Sequence, residues 1–141
     1  MMKEVTVLFI LFTTMVNAQV QNCDIGDVVD DFTVIDIYGG EHNLYSYLGE
    51  GKYVYLDFFF DICAPCEITT PIFNEFYDKY GCGMGDVICI SINNGTDNNA
   101  EVEAFQNMYG GPFNHAPAIS SERGAVPWIA ILESLDILLF A

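Results

Sequence analysis

The chain has 141 residues, of which 52% are hydrophobic and 14% aromatic, enough to pack one domain around a core and too few for two. Twenty acidic residues against four basic ones, Lys3, Lys52, Lys79 and Arg123, give a formal net charge of −16. Four scattered cations form no basic patch, which argues against nucleic acid and an anionic membrane as partners and leaves a solvated acidic surface or a preference for basic proteins.

At the N-terminus, Lys3 precedes an apolar run over residues 5–12, and Val16-Asn17-Ala18 supplies the small residues of a cleavage site. The run is short and is followed by Thr13, Thr14 and Asn17, so it reads as an export signal over residues 1–18 and not as a stable membrane span. Residues 19–141 then form the working domain, periplasmic or secreted, in a compartment where disulfides persist. Cys23 lacks the small-residue cluster that precedes a lipidated cysteine.

Residues 31–37 alternate apolar and polar side chains and end at Gly39-Gly40, as a half-exposed strand does before a turn. Residues 42–48 suit a short helix. Residues 53–60 are apolar and aromatic throughout except at Asp57, which fits a central strand covered on both faces. Beyond Cys63-Ala64-Pro65-Cys66, the spacing of Ile68, Ile72, Phe73, Phe76 and Tyr80 predicts a helix buried on that face, kinked at Pro71 and stopped at Gly81. Residues 87–92 form a second strong strand, residues 93–99 a solvated loop, and Val102, Phe105 and Tyr109 mark one face of another helix. Residues 110–124 read as irregular, and the apolar groups at 128–132 and 137–140 suit two antiparallel strands. Strand and helix alternate, so the expected class is α/β with parallel strands at the centre.

The two cysteines of the Cys63-Ala64-Pro65-Cys66 motif carry the chemistry. A strand that delivers Cys63 to the start of a helix sets it against unpaired backbone N–H groups and the positive end of the helix dipole, which favour thiolate over thiol. Cys63 is then the nucleophile. Cys66, one turn along, is placed to resolve a mixed disulfide by attacking the Cys63 sulfur. Pro65 fits the first helical turn, where its missing N–H has no helical acceptor. An Asp57 buried in an apolar strand has a raised pKa and can serve as an acid or base; at an edge it has no such role.

The stretch from Asp57 to Cys66, with Pro71 five residues beyond, resembles the active-site strand and helix of the thioredoxin fold. The export signal and the strand start at Asp31-Phe32 resemble extracytoplasmic TlpA/ResA-like, AhpC/TSA-related thiol-disulfide oxidoreductases, over roughly residues 26–132. The resemblance implies a thioredoxin-like fold, a central mixed sheet flanked by helices. It implies an exposed attacking Cys63, a more buried Cys66, and an Asp57 that moves the proton of the second cysteine. It implies that Pro127 is the cis-proline facing the motif, with Pro117 the competing position, and that Ala64, Pro65, Val126 and Trp128 contact an extended substrate peptide. Ile62 stands where the family commonly has tryptophan, and Trp128 where it has a small or hydroxylated residue. Fourteen residues follow Pro127, fewer than the family's last strands and helix take, so the fold is expected to be shortened at the C-terminus.

Five cysteines leave one unpaired unless an intermolecular bond forms. Cys89, inside an apolar strand, reads as a small buried hydrophobe, while Cys23 and Cys82, each beside an element end, are candidates for a structural disulfide. Neither His42 nor His115 belongs to a ligand cluster, so no metal is expected, and no cofactor is needed for thiol chemistry. Asn94-Gly95-Thr96 is a glycosylation sequon. The leading expectation is disulfide exchange with protein thiol or disulfide substrates, most plausibly as a reductase reset by an external redox partner. A secreted binding or structural domain with a permanent disulfide is the nonenzymatic alternative. A peroxidase using the same two thiols is the second enzymatic one, weakened by the lack of a proline-and-threonine approach to Cys63.

Overall fold

The computed structural model describes residues 28–82 and 85–123, so the calls that fall on residues 1–18, on Cys23 and on Val126, Pro127 and Trp128 lie outside the described residues. Strands β1 (Thr33–Ile35) and β2 (Glu41–Asn43) form an antiparallel hairpin. Its turn needs Gly39, whose φ of 93° is a left-handed conformation that a side chain would strain, and it is closed by Asp36 N donating to Gly40 O at 2.8 Å. The second strand of the hairpin takes the start of the expected helix. Helix α1 (Leu44–Gly49) begins only after Asn43, whose side chain accepts from Ser46 N as its cap.

Strand β3 (Tyr53–Phe59) pairs in parallel with β4 (Val87–Asn93) from Tyr53 opposite Val87 to Phe59 opposite Asn93. Strand β5 (Ala118–Ile119), in a stretch read from the sequence as irregular, pairs in parallel with β4 at Ser91 and Ile92. With the hairpin beside this parallel sheet, and helices α2 (Ala64–Phe76) and α3 (Asn99–Tyr109) packed on it, the expected α/β architecture is present.

Alternation along the strands divides the core in two. Val54, Leu56 and Phe58 of β3 and Ile88, Ile90 and Ile92 of β4 pack with Phe32, Val34 and Leu44 on the side of the hairpin and α1. Phe59, Cys63, Cys66, Val102, Phe105 and Ala118 pack on the other side, under α2 and α3, where the Phe59 and Phe105 rings stack at 5.2 Å between centroids. Cys89 is buried on that second side with Phe73 and Ala116, as the sequence suggests.

The face of α2 turned to the core is not the apolar stripe expected from spacing. Ile68, Ile72 and Tyr80 are exposed, and the buried positions are Cys66, Thr70, Phe73 and Asn74. Helix α2 continues through Pro71 and ends in a five-residue π-helix, Tyr77–Gly81. Buried Asn74 explains the rotated face: Nδ2 donates to Gln106 Oε1 at 3.0 Å and to Gly110 O at 3.1 Å, and Oδ1 accepts from Ala116 N at 3.0 Å. One amide thus ties α2 to α3 and to the approach to β5. His42 plays a structural part elsewhere, its ring bridging Asp36 Oδ2 at 3.0 Å and the Tyr47 hydroxyl at 2.9 Å.

Replacing Asn74 by alanine strands a buried amide donor and a buried carbonyl. Urea denaturation is expected to show Asn74→Ala less stable by about 2–3 kcal/mol with an unchanged slope.

Candidate active site

The end of β3 and the start of α2 make the site. After Phe59 the chain turns through Phe60, Asp61 and Ile62, with Cys63 N donating to Phe60 O at 3.2 Å. Cys63 is the N-cap of α2, with extended φ −92° and ψ 97°, and its sulfur accepts from Cys66 N at 3.2 Å. An N-cap position is normally filled by an oxygen side chain; a sulfur there receives the same orphan N–H groups and the same dipole. Pro65 lies in the first turn of the helix, as the sequence requires.

Cys63 and Cys66 are joined as a disulfide, Cα atoms 5.1 Å apart. Each is 9% exposed in this oxidised form, so the difference in exposure expected between attacking and resolving thiols is not visible in it. Around the pair, Ala64 and Pro65 are exposed, and Ile62 stands 82% exposed at its rim, an apolar surface where the family's tryptophan would be. The Cys66 sulfur lies 4.0 Å from Phe58 O, at the floor of the site.

Asp57 sits on the α2 side of β3, opposite Ser91 of β4. The neighbouring Ser91 hydroxyl is buried without a hydrogen-bond partner among the described residues. Burial pushes the Asp57 carboxyl up to about 6, outweighing the Phe58 backbone that acts to lower it. Its side is open to a cleft of about 400 Å³ lined by Tyr55, Asp57, Thr69, Ile72, Phe73 and Phe76. Thr69, on the wall of that cleft, reaches Cys66 O with its hydroxyl at 3.4 Å. Asp57 is half-buried, and β3 is the edge strand of the described sheet, so neither of its two sequence readings, a buried carboxyl or an edge one, is singled out.

Sequence reasoning missed what lies on the other flank. Residues 93–99 were expected to form a solvated loop, but Asn93 and Asp97 are buried, at 3% and 4% exposure. The Asp97 carboxylate accepts from Asp61 N at 2.8 Å and from Asn93 Nδ2 at 2.6 Å, and the Thr96 hydroxyl lies 3.0 Å from it. Loss of solvent first, and then the Asp97 and Glu101 carboxylates, push the Asp61 carboxyl up. The only sequence signal was the run of Asn and Asp side chains, which reads equally well as a loop facing water.

The remaining candidates divide. Pro117 follows a trans peptide, since no described residue has a cis one, and its carbonyl accepts from Ser91 N at 2.8 Å. Cys82 is exposed at the end of the π-helix, and Cys23, its candidate partner, is outside the described residues. Burial, with Cys82 nearby, pushes the Cys89 thiol up to about 11, which keeps it protonated and inert.

Comparison with known proteins points the same way as the geometry. A thiol-disulfide oxidoreductase, ResA, from Geobacillus kaustophilus (strain HTA426) is 32% identical over 86 residues, covering 61% of this chain and 47% of its own. ResA from Bacillus thuringiensis (strain Al Hakam) is 31% identical over 93 residues, covering 66% of this chain and 51% of its own. The chain thus spans about half the length of these curated relatives. Among solved structures, the thioredoxin domain of a thiol-disulfide oxidoreductase from Bacteroides vulgatus superposes with a TM-score of 0.59 at 21% identity, covering 82% of this chain and 75% of that one. A secreted disulfide oxidoreductase from Mycobacterium tuberculosis gives 0.53 at 18% identity, covering 70% and 66%. Both show the thioredoxin-like fold. The AhpC/TSA family model matches residues 25–124, and the chain belongs to that family.

Proposed function

We propose that this chain is an extracytoplasmic thiol-disulfide oxidoreductase that exchanges disulfides with protein substrates through Cys63 and Cys66 and works as a reductase. The observation that carries this reading is the position of the pair: a disulfide closed across the first turn of α2, with the Cys63 sulfur already accepting the Cys66 N–H. In the reduced chain the same N–H stabilises a Cys63 thiolate. That thiolate attacks a substrate disulfide, forming the mixed disulfide and expelling one substrate thiolate, which takes up a proton. Cys66 then loses its proton and attacks the Cys63 sulfur, expelling the second substrate thiolate and closing the Cys63–Cys66 disulfide. An external dithiol returns two electrons and two protons to the pair. Asp57, with its carboxyl near 6 and its place on the cleft wall shared with Thr69, is the group that accepts and returns the Cys66 proton.

Charge supports the reducing direction. The titratable side chains placed at the motif, Asp57, Asp61 and Glu67, are carboxyl groups, and no cation is among the described contacts of the turn. Without a positive neighbour the thiolate of the reduced form gains little, which keeps the pair reducing. The export signal and the secreted M. tuberculosis structure support a place outside the cytoplasm, and no described helix is long and apolar enough to cross a membrane. In the family, Pro127 and the adjoining Val126 and Trp128 would complete the substrate groove with Ala64 and Pro65. The near burial of both sulfurs is also what a permanent structural disulfide shows, which makes the potential the deciding measurement.

In redox titration the pair is expected to equilibrate within the range of catalytic dithiols, about −120 to −270 mV, near its reducing end. Cys66→Ser should accumulate mixed disulfides through Cys63, and Cys63→Ser none. A potential below about −300 mV together with no trapped client would identify the permanent disulfide instead.

Asp57 gives a second test through stability. A carboxyl raised from 3.8 to about 6 binds its proton more tightly in the folded chain than in the unfolded one. Its contribution is full below about pH 4 and is lost as the pH rises through 6, a difference of about 3 kcal/mol. Urea denaturation across pH 4–7 is therefore expected to show stability falling over that window in the natural chain. Asp57→Asn should flatten the fall, stabilise the chain at pH 7, and slow release of trapped client by Cys66.

A further inference from the structure

We infer that Asp97 is a positioning residue for Cys63, acting through the backbone of the turn that leads into it. Asp97 does not touch either sulfur. Its Oδ2 accepts the N–H of Asp61, two residues before the nucleophile, at 2.8 Å, and this is the side-chain tie that the turn between β3 and α2 makes to the next loop. The other end of the tie is rigid. Asn93, the last residue of β4, donates to the same oxygen at 2.6 Å and accepts from Asp97 N at 3.2 Å and from Gly95 N at 2.9 Å. The Thr96 hydroxyl lies 3.0 Å from Oδ1 and nearer Asn94 Oδ1, and its one proton serves one of the two. Asp97 O accepts from both the amide and the hydroxyl of Ser121, each at 2.9 Å, which anchors the node to the segment after β5. Asn94 N, donating to Phe59 O at 3.0 Å, fixes the start of the same turn.

A carboxylate only 4% exposed is costly to bury unless its oxygens are filled, and here every bond that fills them also fixes a backbone segment. The functional consequence lies one step along the chain. Cys63 receives the Cys66 N–H only while its backbone holds the extended N-cap conformation, and the Asp61 amide sets how the chain enters it. With the tie cut, the turn is free to rotate and the sulfur leaves the amide that stabilises its thiolate.

The inference rests on Cys63 being the attacking thiolate, yet it can be tested with no client present. The reduced chain carrying Cys66→Ser is labelled with iodoacetamide at pH 7, and each cysteine is followed by mass spectrometry. Cys82, exposed and outside the node, is the internal reference, and buried Cys89 reports unfolding. Asp97→Ala is expected to lower the Cys63 rate relative to Cys82 by about tenfold, the effect of losing one charge-assisted hydrogen bond. Asp97→Asn, which keeps an oxygen for the Asp61 amide, should recover the rate to within about threefold. An unchanged ratio in Asp97→Ala overturns the inference. So does an Asp97→Asn chain as slow as Asp97→Ala, since charge and not the hydrogen bond would then be at work. If Cys89 becomes labelled in Asp97→Ala, hydrogen exchange at the Asp61 amide of the unaltered chain decides: slow exchange supports the tie, and exchange at the rate of a free turn amide overturns it. Failure to trap clients while these ratios hold would sink the exchange reading and leave the positioning intact.

Discussion

Everything at the site depends on the register of β3 against β4. Seven consecutive pairs end with Phe59 opposite Asn93, so the two strands stop level with one another. The turn that carries Cys63 and the loop that carries Asp97 therefore leave the sheet side by side. A slip of β3 by one residue would turn Asp57 to the hairpin side and bring Val54, Leu56 and Phe58 under α2. The ladder is specified by burial on both faces: Ile88, Ile90 and Ile92 fit only on the α1 side, and Cys89 and Ser91 only under α2. A scaffold fixed in this way sets Cys63 at the start of α2.

Strands β3 and β4, the helix after the cysteines and the fold class were legible in the sequence because each rests on a strong local signal. Long apolar runs mark strands and a proline in the first turn marks a helix start, but only β4 is central and buried: β3, expected to be covered on both faces, is the edge of the described sheet, with Tyr53 and Tyr55 exposed. What was not legible depends on partners remote in sequence. The spacing of Ile68, Ile72 and Tyr80 looks like a core face, yet the helix is rotated so that Asn74 can bond to Gln106, Gly110 and Ala116. Hydropathy ranks an isoleucine above an asparagine at a buried position; three satisfied hydrogen bonds reverse that order. Strand β5 was invisible for a related reason, since two residues pairing with β4 leave no period to detect.

The loop at residues 93–99 shows the same limit at the active site. Asn, Gly, Thr and Asp in succession are turn formers, and the reading of a turn was right as far as backbone shape goes. The reading of solvation fails at Asn93 and Asp97, which face each other and Asp61 instead of water, while Thr96 is exposed. Polar composition reports what a residue can bond to, and only the fold decides whether that partner is solvent or backbone.

Asp57 and Asp97 make the contrast chemically useful. Both are carboxylates withdrawn from water within a few residues of the same disulfide turn. Asp97 accepts from the Asp61 amide and the Asn93 side-chain amide, which hold it in place. Asp57 has the Phe58 backbone against the loss of solvent, and the loss of solvent wins. A group in that condition destabilises the fold near neutral pH, and well-packed sheets seldom keep such a group without a use for it. In the proposed exchange that group, on the cleft wall shared with Thr69, is the one that takes the Cys66 proton and gives it back. One acid serves geometry in that proposed exchange and the other proton transfer, and the loss of solvent that dominates at Asp57 is what separates them.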